Sequence, residues 1–175
     1  YSLTKDGVVI TKSDGPYLMS PKDIQTLDLI PDLIHSGINT FKIEGRMKTP
    51  EYVASVTRIY SKYIDLAIGA KDYKISRQDQ DELLAIFNRG GFTQGYYTNK
   101  AGHSMIAVDS PKNTGLEIGQ VIAYAQTGEV KIKANRNLNP GDGIGIWSRD
   151  RNHVGVGIST KIQAGDVFSV KVKGN

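Results

Sequence analysis

The chain has 175 residues, 39% of them hydrophobic and 23% charged, with a formal net charge of +4. That is the composition of folded material, one medium domain or two small ones, and not of a disordered segment. It contains no cysteine, which excludes a disulfide, a thiol nucleophile and a thiolate-held cluster from its own residues.

His35, His103 and His153 lie far apart and in no zinc-binding spacing. No run approaches the roughly 18 apolar residues of a membrane span, so no membrane partner is expected. The lack of cysteine suits a cytoplasmic protein. There is no initiator Met and no apolar core after Lys5, so the sequence reads as one that begins mid-protein and not at a secretory signal. Charge is uneven. Residues 1–112 carry 14 basic and 13 acidic side chains, and residues 113–175 carry 8 and 5. The excess in the tail suits either a soluble surface or a contact with RNA.

Asp6-Gly7 marks a turn between residues 1–3 and 8–11, predicting a hairpin, and residues 13–16 mark a second turn. Ser20-Pro21-Lys22-Asp23 has the pattern of a helix start, with Ser20 as cap, Pro21 in the first turn and Asp23 facing the positive end. Pro31 opens a further short helix, His35 falls in its last turn and Gly37 caps it. Thr40-Phe41-Lys42-Ile43-Glu44 alternates as a strand, with Phe41 and Ile43 on one face and Lys42, Glu44 and Arg46 on the other. Thr49-Pro50-Glu51 starts a helix whose stripe is Tyr52, Val53, Val56, Ile59, Tyr60, Tyr63, Ile64 and Ala67. Helix, strand, helix is the repeating unit of an α/β barrel or open sheet.

Ser76-x-x-Asp79 begins another helix to about Phe87, which Asn88-Arg89-Gly90-Gly91 stops. Residues 92–112 look irregular. Beyond Gly115 short β runs recur at residues 118–125, 129–134, 143–147, 154–158 and 167–172, separated by turn signals. Their spacing predicts a closed antiparallel barrel. Leu138-Asn139-Pro140-Gly141-Asp142 and Ile162-Gln163-Ala164-Gly165-Asp166 resemble each other, which we read as a recurring turn and not as a gene-level repeat. The expected fold is α+β: residues 1–75 as the C-terminal remnant of an α/β (TIM-like) barrel, 76–112 as a helical and irregular linker, and 113–175 as a small antiparallel β-barrel.

Three stretches carry a resemblance. They are Tyr17-Leu18-Met19-Ser20-Pro21-Lys22-Asp23, Phe41-Lys42-Ile43-Glu44-Gly45-Arg46-Met47-Lys48-Thr49-Pro50-Glu51-Tyr52-Val53, and Phe87-Asn88-Arg89-Gly90-Gly91-Phe92-Thr93-Gln94-Gly95-Tyr96. Together they resemble the collagenase-like peptidases, family thirty-two of unknown catalytic type, over about residues 17–100. The resemblance implies a chain taken from the C-terminal part of such a protein. Family members are described as proteases, including collagen-degrading ones, and others take part in hydroxylating RNA bases or ubiquinone precursors, some with iron–sulfur clusters. Many relatives have a Cys where this chain has Gln25, so the resemblance brings no cluster ligand here and leaves the cofactor open. Gly141-Asp142-Gly143-Ile144 is also similar to the second domain of translation elongation factors.

In a parallel barrel, functional groups gather at the C-terminal ends of strands, which singles out Lys42, Glu44, Arg46 and Lys48. Glu44 is the candidate general base or metal ligand, with Lys42 beside it; the alternative is an ion pair that satisfies the barrel interior. Arg46 and Lys48 are candidate substrate contacts, Arg46 suited to a carboxylate or phosphate. Arg89 joins them if the Gly90-Gly91 amides approach an anion; the alternative is a helix stop. Ser20 reads as a cap before a nucleophile, Tyr60 and Tyr63 read as core, and Trp147 fills the barrel or stacks on a base.

Two functions follow. The first is a peptidase segment, inactive alone, whose barrel binds substrate or a partner. The second is part of an RNA-hydroxylating protein with an RNA-binding barrel. Peptide or RNA is the expected substrate. The expected partner is the N-terminal part of the parent protein or a second copy, because one strand cannot satisfy its own backbone.

Overall fold

Turn chemistry and helical stripes organise the chain into two units, Tyr1–Leu116 and Glu117–Asn175, in a computed structural model that describes residues 4–9, 15, 17–69, 72–98, 102–148 and 153–172. Each unit is taken by itself. In the first, β1 (Thr4–Lys5) pairs antiparallel with β2 (Val8–Val9) around Asp6-Gly7, both of which adopt positive φ. The predicted strand at residues 1–3 and most of the second turn at 13–16 lie outside the described residues.

The predicted helix start at Ser20 is not one. Asp23 and Ile24 form β3 (Asp23–Ile24), which pairs in parallel with β4 (Phe92–Thr93), and Pro21 bridges to Ile106. The amide of Lys22 donates to the Met105 carbonyl and that of Ala107 to the Ser20 carbonyl. Partners distant in sequence take the backbone groups that a helix would have used locally. Helical structure begins at a short turn, Leu27–Leu29, and continues into α1 (Ile30–His35), with Pro31 in its first turn. Gly37, at φ 90°, ends it as expected.

Residues 38–45 form no helix and join no sheet, which corrects the expected barrel strand at 40–44. Alternation determines which side chains share a face; it does not supply a neighbouring strand. Phe41 and Ile43 are half-buried, and Lys42, Glu44 and Arg46 are exposed. No α/β barrel wall forms among the described residues.

The long helix α2 (Pro50–Ile68) starts where Thr49 accepts a hydrogen bond from the Tyr52 amide. It buries Val56, Ile59 and Tyr63 against Leu27, Ile30 and Leu83 of α3 (Arg77–Ile86) and the preceding turns. Burying each such side chain is worth about 1.5–3 kcal/mol. The tyrosines of the stripe also spend their hydroxyls. Tyr60 accepts from the Thr26 amide at 2.9 Å, and Tyr63 accepts from the Ser76 amide at 2.8 Å.

Asp79 joins these helices. It is buried, and its Oδ2 accepts from Lys62 Nζ at 2.7 Å, Tyr63 Oη at 2.7 Å and Ser76 Oγ at 2.6 Å. Its own amide donates to Ser76 Oγ, the predicted cap. Burial alone would raise the Asp79 pKa, but the hydrogen bonds from Lys62, Ser76 and Tyr63 prevail and hold it down to about 2.

The second unit has β5 (Gly119–Tyr124), β6 (Glu129–Ala134) and β9 (Val167–Lys171) in one antiparallel sheet, and β7 (Gly143–Trp147) with β8 (His153–Gly157) in a hairpin. The strands fall close to the β runs that the turn signals separate in the sequence. Among the described residues they do not close into a barrel, which corrects that expectation. The sheet and hairpin instead share a core of Val130, Ile132, Ala134, Leu138, Ile144, Ile158 and Ile162.

The two similar turns prove to be equivalent halves of this unit. Leu138 and Ile162 bond each other's backbones, and in each turn an aspartate, Asp142 or Asp166, accepts at 2.8 Å from the amide three residues earlier. Adding 24 to every residue number maps Leu138 onto Ile162 and Asp142 onto Asp166. The same shift carries Glu129 onto His153 and Trp147 onto Lys171, so exchanging the two halves turns the register pair Glu129↔Lys171 of the β6–β9 ladder into His153↔Trp147 of the β7–β8 ladder. The likeness extends well beyond a recurring turn. It is an internal two-fold.

The folded Asp79 pKa lies below its unfolded value, so the ionised carboxylate stabilises the first unit fully above about pH 4, and that contribution disappears as pH falls from about 4 to about 2. Asp79→Asn should cost about 2 kcal/mol at pH 7 and flatten the loss of stability over that acid window. Urea unfolding followed by far-UV circular dichroism between pH 2 and 6 measures both; an unchanged acid limb in the variant would refute the assignment.

Candidate functional site at the start of helix α2

Five of the residues singled out above lie on or beside the loop that leads into α2. Glu44 Oε1 accepts the Arg46 amide at 3.1 Å, which shapes the turn, and Met47 follows with a positive φ of 63°. Lys42 Nζ stands 4.0 Å from Glu44, and their side chains are 87% and 72% exposed. They do not face a barrel interior, and at that exposure the pair contributes little to stability. Arg46 is exposed beside them.

Lys48 and Arg89 turn the other way. The Lys48 ammonium lies 2.8 Å from the centre of the Phe87 ring and 5.3 Å from that of Tyr52, and the two rings meet edge to face. Burial pushes the Lys48 pKa down, the Asp23 carboxylate opposes that, and the Arg89 charge adds to it. Burial likewise raises the Tyr52 pKa, and Asp23 raises it further.

Arg89 does not stand free for a ligand. Its Nε and NH2 donate to Asp23 at 3.1 and 2.9 Å, and its amide donates to the same carboxylate at 3.0 Å. Asn88 beside it is buried and bonds Leu84, Gly91, Asn113, Thr114 and Gly115. These bonds, rather than anion binding, explain the Gly90-Gly91 turn.

The structure therefore separates the five. Lys42, Glu44 and Arg46 form an exposed loop of mixed charge, and Lys48 and Arg89 form a half-buried cluster with Asp23, Tyr52 and Phe87. Asp23, Tyr52 and Phe87 were not identified as site residues, because the local pattern read Asp23 as a helix-start acid and the aromatics as packing. A groove of about 480 Å³ runs between residues 38–43 and α2, lined by Ile38, Thr40, Phe41, Ile43, Tyr60 and Ile64 among others. Among the described residues no group of three or more His, Asp or Glu is placed to hold a metal, and no helix is long and apolar enough to cross a membrane.

Asp23→Asn should destabilise the first unit by about 2–3 kcal/mol, because it leaves a half-buried guanidinium poorly paired. It should also lower the Lys48 pKa further, since it removes the acid that raises it. Denaturant unfolding and an NMR titration of the Lys48 side chain test the two parts; a Lys48 pKa that rises would contradict the geometry.

The chain matches the profile of Peptidase family U32 over residues 1–107. It is 33% identical to tRNA hydroxylation protein P1 of Bacillus subtilis, over 73% of this chain and 31% of that protein. It is 38% identical to a collagenase of Porphyromonas gingivalis, over 53% of this chain and 22% of that protein. With the 23S rRNA 5-hydroxycytidine C2501 synthase of Escherichia coli it shares 29% identity, over 86% of this chain and 23% of that protein. The matched region thus spans less than a third of each of these relatives. No solved structure matches the chain. With more than half of its residues under the family profile, and with the motifs on either side of the α2 start in place, the chain belongs to Peptidase family U32.

Proposed function

We propose that this chain is the RNA-holding part of a protein that hydroxylates RNA bases, and that the chemical step belongs to residues elsewhere in that protein. One observation carries the reading. The similarity to the rRNA hydroxycytidine synthase covers 86% of the chain, so it runs through the family segment and well into Glu117–Asn175. The similarity to the collagenase covers 53%, and that to an uncharacterized protease of Methanocaldococcus jannaschii covers 79%. The C-terminal segment also carries the basic excess, which suits a polyanion.

On this reading Lys42 and Arg46 contact phosphates from the exposed loop, and Glu44 acts through loop shape instead of as a base. Lys48 and Arg89, held by Phe87 and Asp23, support the loop from behind. Residues 39–44, which join no sheet, take strand partners from another polypeptide, either the remainder of the protein or a second copy. A second reading, peptide hydrolysis, draws on the 38% identity to a collagenase. It would make Glu44 the base beside Lys42, with Arg46, Lys48 and Arg89 on a substrate carboxylate.

Fluorescence anisotropy with a labelled tRNA separates the two. Lys42→Ala with Arg46→Ala should weaken binding several-fold and reduce the slope of log affinity against log salt by about 1–2. Absence of tRNA binding at low salt, or cleavage of gelatin by the full-length protein that the same double variant abolishes, would overturn the RNA reading in favour of the peptidase one.

A further inference from the structure

The internal two-fold of Glu117–Asn175 allows one half to be compared with the other at equivalent positions. On the β6–β9 ladder the outward face holds Glu129, Lys131 and Lys133 opposite Lys171, Ser169 and Val167. That is an ordinary solvated surface. On the β7–β8 ladder the equivalent outward positions are Gly143 opposite Gly157, Gly145 opposite Gly155, and Trp147 opposite His153. Four glycines pave the face, and a Trp–His pair ends it.

The fold does not require those glycines. None of the four has a positive φ. A β-carbon at Gly143, Gly155 or Gly157 would meet no described atom within 4 Å, and at Gly145 it would make only ordinary contact, with Trp147 at 3.6 Å and His153 at 3.8 Å. A glycine inside a strand costs about 0.5–1 kcal/mol relative to alanine, and it often marks close approach by a ligand or another chain. Four on one face, in the half whose counterpart is charged, set this surface apart from simple solvation. Trp147 also departs from the expected barrel filling. It is 41% exposed and stacks on His153, with ring centres 4.7 Å apart and planes 23° from parallel.

We propose that this glycine-paved face and the Trp147–His153 stack form a binding platform for single-stranded RNA, on which a base extends the ring stack and the adjoining nucleotide lies across the glycines. The face offers flat contact without side-chain pockets. That suits bases and ribose, whereas a peptide would need pockets for alternate side chains. Charge favours the same occupant: residues 113–175 carry 8 basic and 5 acidic side chains. The platform deepens the RNA reading given above but uses residues of the second unit, whereas the α2 loop belongs to the first, so the two can fail separately.

Trp147 is the only tryptophan in the chain, so its fluorescence reports on this site alone. Titrating the full chain with a single-stranded oligouridylate of about ten nucleotides should quench it saturably, less so at high salt. Gly145→Val with Gly155→Val places branched side chains on the platform without entering the core. It should weaken binding roughly tenfold with the far-UV spectrum unchanged, while Lys131→Ala on the opposite ladder changes it far less. If that double variant misfolds, Trp147→Leu, followed through the anisotropy of a labelled oligonucleotide, should show the same loss. Absence of quenching, equal affinity in the platform variants, or stronger quenching by a gelatin-derived peptide would overturn the platform. Loss of quenching with tRNA binding intact would remove the platform and leave the RNA reading standing.

Discussion

Arg89 places three hydrogen bonds on Asp23 across 66 residues of chain, and most of what can meet a ligand in the first unit depends on that contact. It holds β3 beside β4, where two residue pairs alone would make a weak ladder. It also places a neutralised ion pair next to Lys48, whose amine lies against Phe87 and Tyr52. The guanidinium fork suits this position because one side chain and its own amide saturate a single carboxylate from two directions. A lysine there would bring the charge without the geometry.

The helical core is organised by a second acid. Asp79 is buried, and a buried carboxylate is tolerated only when its lone pairs are occupied. Lys62, Tyr63 and Ser76 occupy them, and Tyr63 in turn receives the Ser76 amide, so one residue of the apolar stripe also closes the polar network. Packing and polar satisfaction thus act at the same place. The α2–α3 contact is specified by both, and the loop that carries Lys42, Glu44 and Arg46 leads directly into α2.

In the second unit the constraint is symmetry. Two β-turn-β halves interlock through Leu138 and Ile162, each turn tied by its own aspartate. Inward positions are alike in the two halves, as a shared core demands: Ile144 answers to Phe168, and Ala134 to Ile158. Outward positions differ, charged on the β6–β9 ladder and glycine on the β7–β8 ladder. Membership of Peptidase family U32 covers residues 1–107 and says nothing of this face.

Local rules legible in the sequence went far. Thr49 and Ser76 as caps, Gly37 as a helix end, the stripe of α2, the Asp6-Gly7 turn and the turn-separated β runs of β5 to β9 all act within a few residues, so spacing alone locates them. The sequence left Trp147 between filling the barrel and stacking on a base; the β7–β8 register puts it on the face of Gly143 and Gly145, opposite Ile144 and Ile146. What the sequence by itself determined, then, was the chemistry of each short segment and the family of the first unit. Only the tertiary structure decided that Asp23 serves a strand and Arg89 instead of a helix end, that among the described residues the segment 40–44 lacks a neighbouring strand and the C-terminal strands do not close, and that two similar turns are halves of one two-fold. Each of these depends on which distant backbone or side chain arrives alongside, and no local pattern encodes that arrival.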